Sequence, residues 1–383
     1  MRAKILLVDD DAMILSGLKR QLRKQFDIET ALSGEDALNM IEKNGPYAVI
    51  VSDFLMPGMN GIEFLSQVKR TCPDTVRMML TGSADMTTAI KAVNEGSIYK
   101  FHPKPCPAET LGTAIQSGIA EYRKVTTDQT QLKKVQMSLA TASMIQQKLM
   151  PKSDLLVDGF DIAGKSISCD ETGGDYYDFI HPEEWGQAKI GIVVADVIGH
   201  GISAALLMTS VRASLLERIL SPGNGASIVS DVNKRLVQDI EELNLFITMF
   251  YSEIDLKEKC FRWVHAGHES ALFYDPASDE FDTLGGDGLP LGVMADWDYM
   301  ESERQFQPGQ IILIGTDGIK EACNPHNEHF GNARLQQVVQ DHCRKTAKEI
   351  LNEVFGALDN FRLSAERKDD ETLVVIKVLQ PPD

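Results

Sequence analysis

From the first residues, short runs that are apolar on both faces alternate with amphipathic stretches of helix length. Residues 4–8 precede 12–23, residues 48–52 precede 61–71, and residues 77–81 precede 86–95. A strand with two apolar faces must be covered on both sides, and helices between such strands are the crossovers that parallel pairing needs. The pattern predicts a doubly wound α/β domain over residues 1–122.

Between about Ala120 and Pro151 the pattern changes. There is no glycine and no internal proline, and Leu132, Val135, Leu139, Ala142 and Leu149 recur at helical spacing. Alternating steps of three and four make the seam of a short coiled coil, which Gln146 interrupts. A helical linker over 123–150 is expected, pairing two chains into a homodimer in preference to packing on its own domains. Beyond Pro151, stretches such as 246–255 and 261–265 alternate as strands do. They are mixed with two-helix stretches around 202–238 and 332–362. This predicts an α+β layered domain over 151–383.

A chain of 383 residues, 43% hydrophobic and 25% charged, suits two globular domains. A formal net charge of −18 and the lack of a dense basic tract argue against nucleic acid as a partner. No helix-turn-helix segment is recognisable. The six cysteines, at 72, 106, 169, 260, 323 and 343, form no Cys-x-x-Cys pair, and no signal-peptide core or membrane-length apolar span appears. The expectation is a reduced, cytoplasmic protein with no membrane attachment.

Aspartates carry the chemistry. One group is Asp9, Asp10 and Asp53; the other is Asp175, Asp196, Asp317, Asp369 and Asp370. Each lies where an apolar run breaks, and carboxylates gathered in a fold take up protons unless cations hold them ionised. Two separate metal sites are the natural reading. In the first domain, Thr81 and Lys104 fall with Asp9, Asp10 and Asp53 at the carboxyl ends of strands, where doubly wound sheets place their sites. Asp11 reads as a helix N-cap.

The ordered set Ile5-Leu-Leu-Val-Asp-Asp-Asp11, Ser52-Asp-Phe-Leu-Met-Pro-Gly-Met-Asn-Gly61, Leu80-Thr-Gly82 and Lys104-Pro105 resembles the flavodoxin-like receiver domain of response regulators. The resemblance implies that Asp53 accepts a phosphoryl group from a sensor histidine kinase or phosphotransfer protein. It implies that Asp9, Asp10 and Asp53, with the Leu55 carbonyl, hold Mg²⁺, that Thr81 and Lys104 contact the phosphoryl group, and that Phe101 is the aromatic switch. His102-Pro-Lys-Pro105 departs from the commoner apolar stretch, and its added proline stiffens the loop.

The second domain carries Gly173-Gly-Asp-Tyr-Tyr-Asp178, Ala195-Asp-Val-Ile-Gly-His-Gly201, Gly315-Thr-Asp-Gly318 and Lys368-Asp-Asp-Glu-Thr372. With Ala266-Gly-His268 and Gly288-Leu-Pro-Leu-Gly292 in the same order, they resemble the SpoIIE/RsbU-like branch of the type 2C metal-dependent protein phosphatases. Ile145-Gln-Gln-Lys-Leu-Met-Pro151 is similar to the helix ahead of such domains. The resemblance implies two Mn²⁺ or Mg²⁺ ions on Asp175, Asp196, the Val197 carbonyl, Asp317 and Asp369, with Asp370 as an outer neighbour. Asp178 reads equally as a turn acceptor or an outer-shell residue, and His200 as a surface histidine or a proton donor. His265, His268, His326 and His329 do not suggest a metal site unaided. No evident arginine clamp precedes Asp175, Lys165 being the nearest basic residue.

The expected output is hydrolysis of phosphoserine or phosphothreonine, with a phosphorylated anti-sigma-factor antagonist as substrate. The alternative is a non-catalytic adaptor that sequesters a partner when Asp53 is phosphorylated. Retention of the metal-site aspartates favours the enzyme.

Overall fold

The computed structural model describes residues 3–82, 98–157, 159–181, 189–241 and 243–379. The helix expected over 86–95 lies outside these. The chain divides into two compact units, Met1–Gln136 and Met137–Asp383.

The first unit is built on strands β1 (Lys4–Val8), β2 (Asp27–Ala31), β3 (Val49–Asp53), β4 (Val76–Thr81) and β5 (Lys100–Pro103), all parallel, in the order β2-β1-β3-β4-β5. The two-residue period of each strand sorts its side chains between two cores. Ile5, Leu7, Val49, Val51, Met78 and Leu80 pack with Leu15, Leu22, Leu111 and Ile115, while Leu6, Val8, Ile50 and Met79 pack with Ile41, Phe64, Leu65 and Val68. Helices therefore cover both faces, and the doubly wound expectation holds. Strand β2, which leads into helix Gly34–Asn44, has no two-faced apolar run because it is an edge strand, whose Asp27 and Glu29 stay accessible. Asp11 caps helix Ala12–Leu22, accepting from Met13 N at 2.7 Å.

The last helix of this unit begins at Ala108 rather than near Ala120 and runs unbroken to Leu149. Gly112 and Gly118 lie inside this helix and mark close packing against the first unit's core. A Cβ on Gly118 would stand 2.6 Å from Met78 Cε. Further along, Leu132 and Val135 are 60% and 56% exposed. No helix among the described residues is long and apolar enough to cross a membrane.

The second unit stacks two antiparallel sheets. One contains β8 (Tyr176–Ile180), β9 (Lys189–Val197), β10 (Ile247–Asp255), β11 (Cys260–Ala266) and β14 (Glu301–Gln305). The other contains β6 (Leu155–Val157), β7 (Phe160–Ile167), β12 (Ala271–Asp275), β13 (Glu280–Leu284), β15 (Ile311–Gly315) and β16 (Glu371–Val378). Ile192 and Val194 of β9 join Phe250, Phe261, Ile312 and Ile376 between the sheets. Val193 and Ala195 turn outward under helices Ile202–Ile219 and Gly225–Asp239. On the far side, Leu313, Leu373 and Val375 pack under helices Gly331–His342 and Ala347–Arg362. The result is helix, sheet, sheet, helix, with one core in each gap, as the layered α+β expectation requires.

Candidate functional site

Parallel strands end on one side of their sheet, so the loops after β1, β3, β4 and β5 converge. Oxygens of Asp9, Asp10 and Asp53 lie within 4.8 Å of one another. Lys104 Nζ stands 2.8 Å from Asp9 Oδ2 and 2.7 Å from Asp53 Oδ1. Burial raises the Asp53 pKa against the opposing pull of Lys104, whereas Lys104 is held up because Asp53 and Asp9 outweigh its own burial. Thr81 is buried and donates to Gly82 O at 3.2 Å, Phe101 is half-buried, and the Leu55 side chain is exposed. Three neighbouring carboxylates, two of them paired with one ammonium, form an oxygen donor set that fits a hard cation such as Mg²⁺. His102 is buried with Nε2 lacking a partner, and burial lowers its pKa.

In the second unit, both sheets contribute to a single cluster. Asp175 precedes β8, Asp196 and Val197 close β9, Asp317 opens helix Asp317–Glu321 behind β15, and Asp369 and Asp370 lead into β16. Asp196 has the parity of Ile192 and Val194, so its carboxylate emerges at the end of the layer between the sheets. Thr316 Oγ1 donates to Asp175 Oδ2 at 2.8 Å. Burial, then the charge of Asp196, puts the Asp175 pKa well above the usual carboxylate range. Burial followed by the charges of Asp317, Asp369 and Asp370 pushes Asp196 up to about 7, and burial with Asp369 raises Asp317. Carboxylates that raise one another's pKa in this way form a donor set suited to divalent cations.

Two glycines let these loops meet. A Cβ on Gly318 would lie 2.0 Å from the Asp370 carbonyl oxygen, and one on Gly174 would lie 2.9 Å from the Val197 carbonyl oxygen. Asp370 itself is buried and spends its carboxylate on backbone donors. Oδ1 accepts from Cys169 N at 2.8 Å and Oδ2 from Gly174 N at 2.6 Å. It thus clamps the loop that carries Asp175.

The remaining candidates sort by strand parity and partners. Asp178 follows Tyr176 onto the helix side of β8, where it accepts from the Tyr176 hydroxyl at 2.9 Å and pairs with Arg212 at 3.3 Å. His200 is exposed, with Nδ1 2.5 Å from Asp170 Oδ2. The neighbouring Cys169 thiol is pushed up to about 12 by burial and the charge of Asp370. His268, buried and oriented by the Thr248 hydroxyl at 2.7 Å, is held neutral by burial, its pKa down to about 3. Lys165 lies over the Phe355 ring at 4.4 Å and so belongs to the outer helical layer. Basic groups that the sequence reading missed line a cavity of about 340 Å³ beside Gly318 and Asp369, namely Arg362, Arg367 and Lys368. Arg362 and Arg367 both pair with Glu371 and Asp359, while Lys368 is exposed. Their approach to Asp369 depends on the turn after helix Ala347–Arg362, and no spacing signal reveals it.

The family described as Stage II sporulation protein E (SpoIIE) matches residues 186–379, more than half of the chain, and the response regulator receiver domain matches residues 5–116. The chain belongs to the SpoIIE family. Among its relatives, phosphoserine phosphatase RsbU of Bacillus subtilis is 29% identical over 249 residues, spanning 63% of this chain and 70% of RsbU. Phosphoserine phosphatase RsbP of the same organism is 24% identical over 211 residues, spanning 54% of this chain and 50% of RsbP. The SiaA-PP2C domain of Pseudomonas aeruginosa shares the fold of the second unit, with TM-score 0.55 at 23% identity, covering 64% of this chain and 98% of that domain. This SpoIIE-family chain is therefore a type 2C serine/threonine phosphatase with a receiver domain ahead of it, and a receiver implies a kinase or phosphotransfer partner.

Proposed function

We propose that this chain removes phosphate from a phosphorylated anti-sigma-factor antagonist, at a rate set by phosphorylation of Asp53. The observation that carries the reading is the convergence of the aspartate-bearing loops at one end of the sandwich, where Thr316 Oγ1 reaches Asp175 at 2.8 Å, Gly174 N reaches Asp370 at 2.6 Å and Gly318 closes on the Asp370 carbonyl. The choice of substrate class rests on likeness to RsbU, which bears the name phosphoserine phosphatase.

In the receiver, Asp9, Asp10, Asp53 and the Leu55 carbonyl would hold Mg²⁺, and Asp53 would take the phosphoryl group. Lys104, already 2.7 Å from Asp53, would pair with the new charge, with Thr81 and Phe101 completing the switch. In the second unit, Asp175, Asp196, Asp317, Asp369 and the Val197 carbonyl would hold two Mn²⁺ or Mg²⁺ ions. When bound, such a pair supplies a water acidic enough to attack phosphorus and neutralises charge on the phosphate. Asp370 keeps Gly174 and Asp175 in place, and Lys368 and Arg367 lend positive charge to the cavity beside Asp369. His200, its ring oriented by Asp170, is the proposed donor of a proton to the departing serine oxygen. The exposed Leu132 and Val135, with Leu139, are the proposed dimer seam.

The test is turnover of a phosphorylated antagonist protein by the full chain in Mn²⁺, with and without beryllofluoride to mimic phospho-Asp53. A change of about 5- to 150-fold between the two states is expected. A chain that binds Mn²⁺ and the phosphoprotein yet releases no phosphate would refute the reading in favour of the adaptor.

A further inference from the structure

Gln146 interrupts the apolar seam of the long helix, and its surroundings explain why. Beyond Gly118, it is the sole buried residue of helix Ala108–Leu149, only 8% exposed. Its amide makes both hydrogen bonds that a primary amide can make to one residue's backbone. Nε2 donates to Gly173 O at 2.6 Å, and Oε1 accepts from Gly173 N at 3.1 Å. Gly173 is two residues ahead of Asp175. A Cβ there would stand 2.5 Å from Asp370 Oδ2, so the loop is already pressed against its other clamp.

The loop bearing Asp175 is thus gripped from two sides that differ in kind. Asp370 leads into β16, a strand paired on both edges within the sandwich. Gln146 belongs to a helix whose early residues Leu111, Ala114 and Ile115 are buried in the core of the first unit. A cavity of about 320 Å³, lined by Ser143, Gln146, Gln147, Ser168, Asp170 and Glu171 among others, opens beside the grip. The helix end is therefore pinned at Gln146 beside open space. A polar side chain is costly at a coiled-coil seam position, but here its amide oxygen and one N–H are both paired on the domain side.

We infer that Gln146 is a positioning residue through which the helix from the receiver sets the Gly173–Asp175 loop, and with it the place of the Asp175 carboxylate. This rests on the proposed phosphatase reading and names the contact through which that site is regulated. A shift of the helix end leaves the Gly173 N–H and carbonyl without partners, and the loop then loosens around Asp175. The coiled-coil seam should accordingly end before Gln146.

The test is Gln146→Met, which keeps the length and volume of the side chain and removes both hydrogen bonds. Amide exchange of the peptide spanning residues 169–176 should quicken by roughly tenfold in the variant, as expected when a local closing interaction is lost. Turnover of phosphoprotein should fall through kcat, with KM little changed, and Mn²⁺ affinity by calorimetry should weaken. Beryllofluoride should alter exchange of this peptide in the wild type and not in the variant. Gln146→Glu, which keeps the acceptor for Gly173 N–H, should be intermediate in exchange. Equal exchange in wild type and Gln146→Met, or an unchanged response to beryllofluoride, would overturn the inference whether or not turnover is found. If exchange behaves as stated while the wild type hydrolyses no phosphoprotein, the inference stands and the functional reading falls.

Discussion

The carboxylate cluster should make the metal-free phosphatase domain less stable than a variant that cannot catalyse, and Asp196→Asn tests this. Asp196 is moved from its ordinary 3.8 to about 7, a difference of about 4 kcal/mol between its protonated and ionised forms. The folded pKa lies above the unfolded one, so the folded state binds this proton more tightly. Its contribution to stability is fully present below about 3.8 and is lost as pH rises through about 7. About 3 kcal/mol of that loss falls between pH 5 and pH 8. Asparagine resembles the protonated acid at every pH and escapes the loss. Because Asp317, Asp369 and Asp370 share the repulsion, the figure is a ceiling. In chelator at pH 8 the variant should be more stable by about 1–3 kcal/mol, or about 3–10 °C in melting temperature for a domain of this size. At pH 5 the gap should shrink. Saturating Mn²⁺ should reverse the order, because ligand binding to the native state stabilises the wild type more. Thermal melts by circular dichroism of both proteins, at both pH values, with chelator or Mn²⁺, give the whole comparison. A variant that melts at or below the wild type in chelator at pH 8 would show that these aspartates do not repel one another in the fold.

Small phosphodonors should label the receiver at one carboxylate. Asp53→Asn should abolish this and Asp9→Asn should weaken it, read by mass spectrometry of the intact chain. Gly318→Ala should remove most phosphatase activity while leaving receiver labelling intact, since its Cβ would fall 2.0 Å from the Asp370 carbonyl oxygen. Arg362→Met removes the buried partner of the buried Glu371 and leaves it only the more accessible Arg367, so urea unfolding of the second unit should show a loss of about 3–5 kcal/mol. A Leu132→Glu, Leu139→Glu pair should abolish any dimer seen by light scattering, and a mass unaffected by both charges would remove the seam.

Much of the receiver was legible because parallel strands end on one side. Once residues 4–8, 48–52 and 77–81 read as buried strands, Asp9, Asp53 and Thr81 had to come together, and Lys104 followed at the next strand end. The order of aspartate-bearing turns likewise marked the second site, since glycines beside aspartates at strand ends are visible without any fold. Strand β2 was lost from view for a related reason, because an edge strand need be apolar on only part of its surface.

Other features depended on where side chains point and on what approaches from distant segments. Asp175 and Asp178 are three residues apart in one motif, yet the two-residue period of β8 sends Asp178 to Arg212. Asp369 and Asp370 are adjacent, yet Asp370 is taken up by the amides of Cys169 and Gly174. Gln146 looked like a flaw in a seam until Gly173 came within 2.6 Å of its amide. The sequence alone pointed to two domains, a helix between them and the turns that carry the aspartates, because periodicity and strand ends are local. Only the tertiary structure decided which carboxylates form the cluster and which hold loops, because hydrogen-bond partners up to 201 residues apart settle how each oxygen is used.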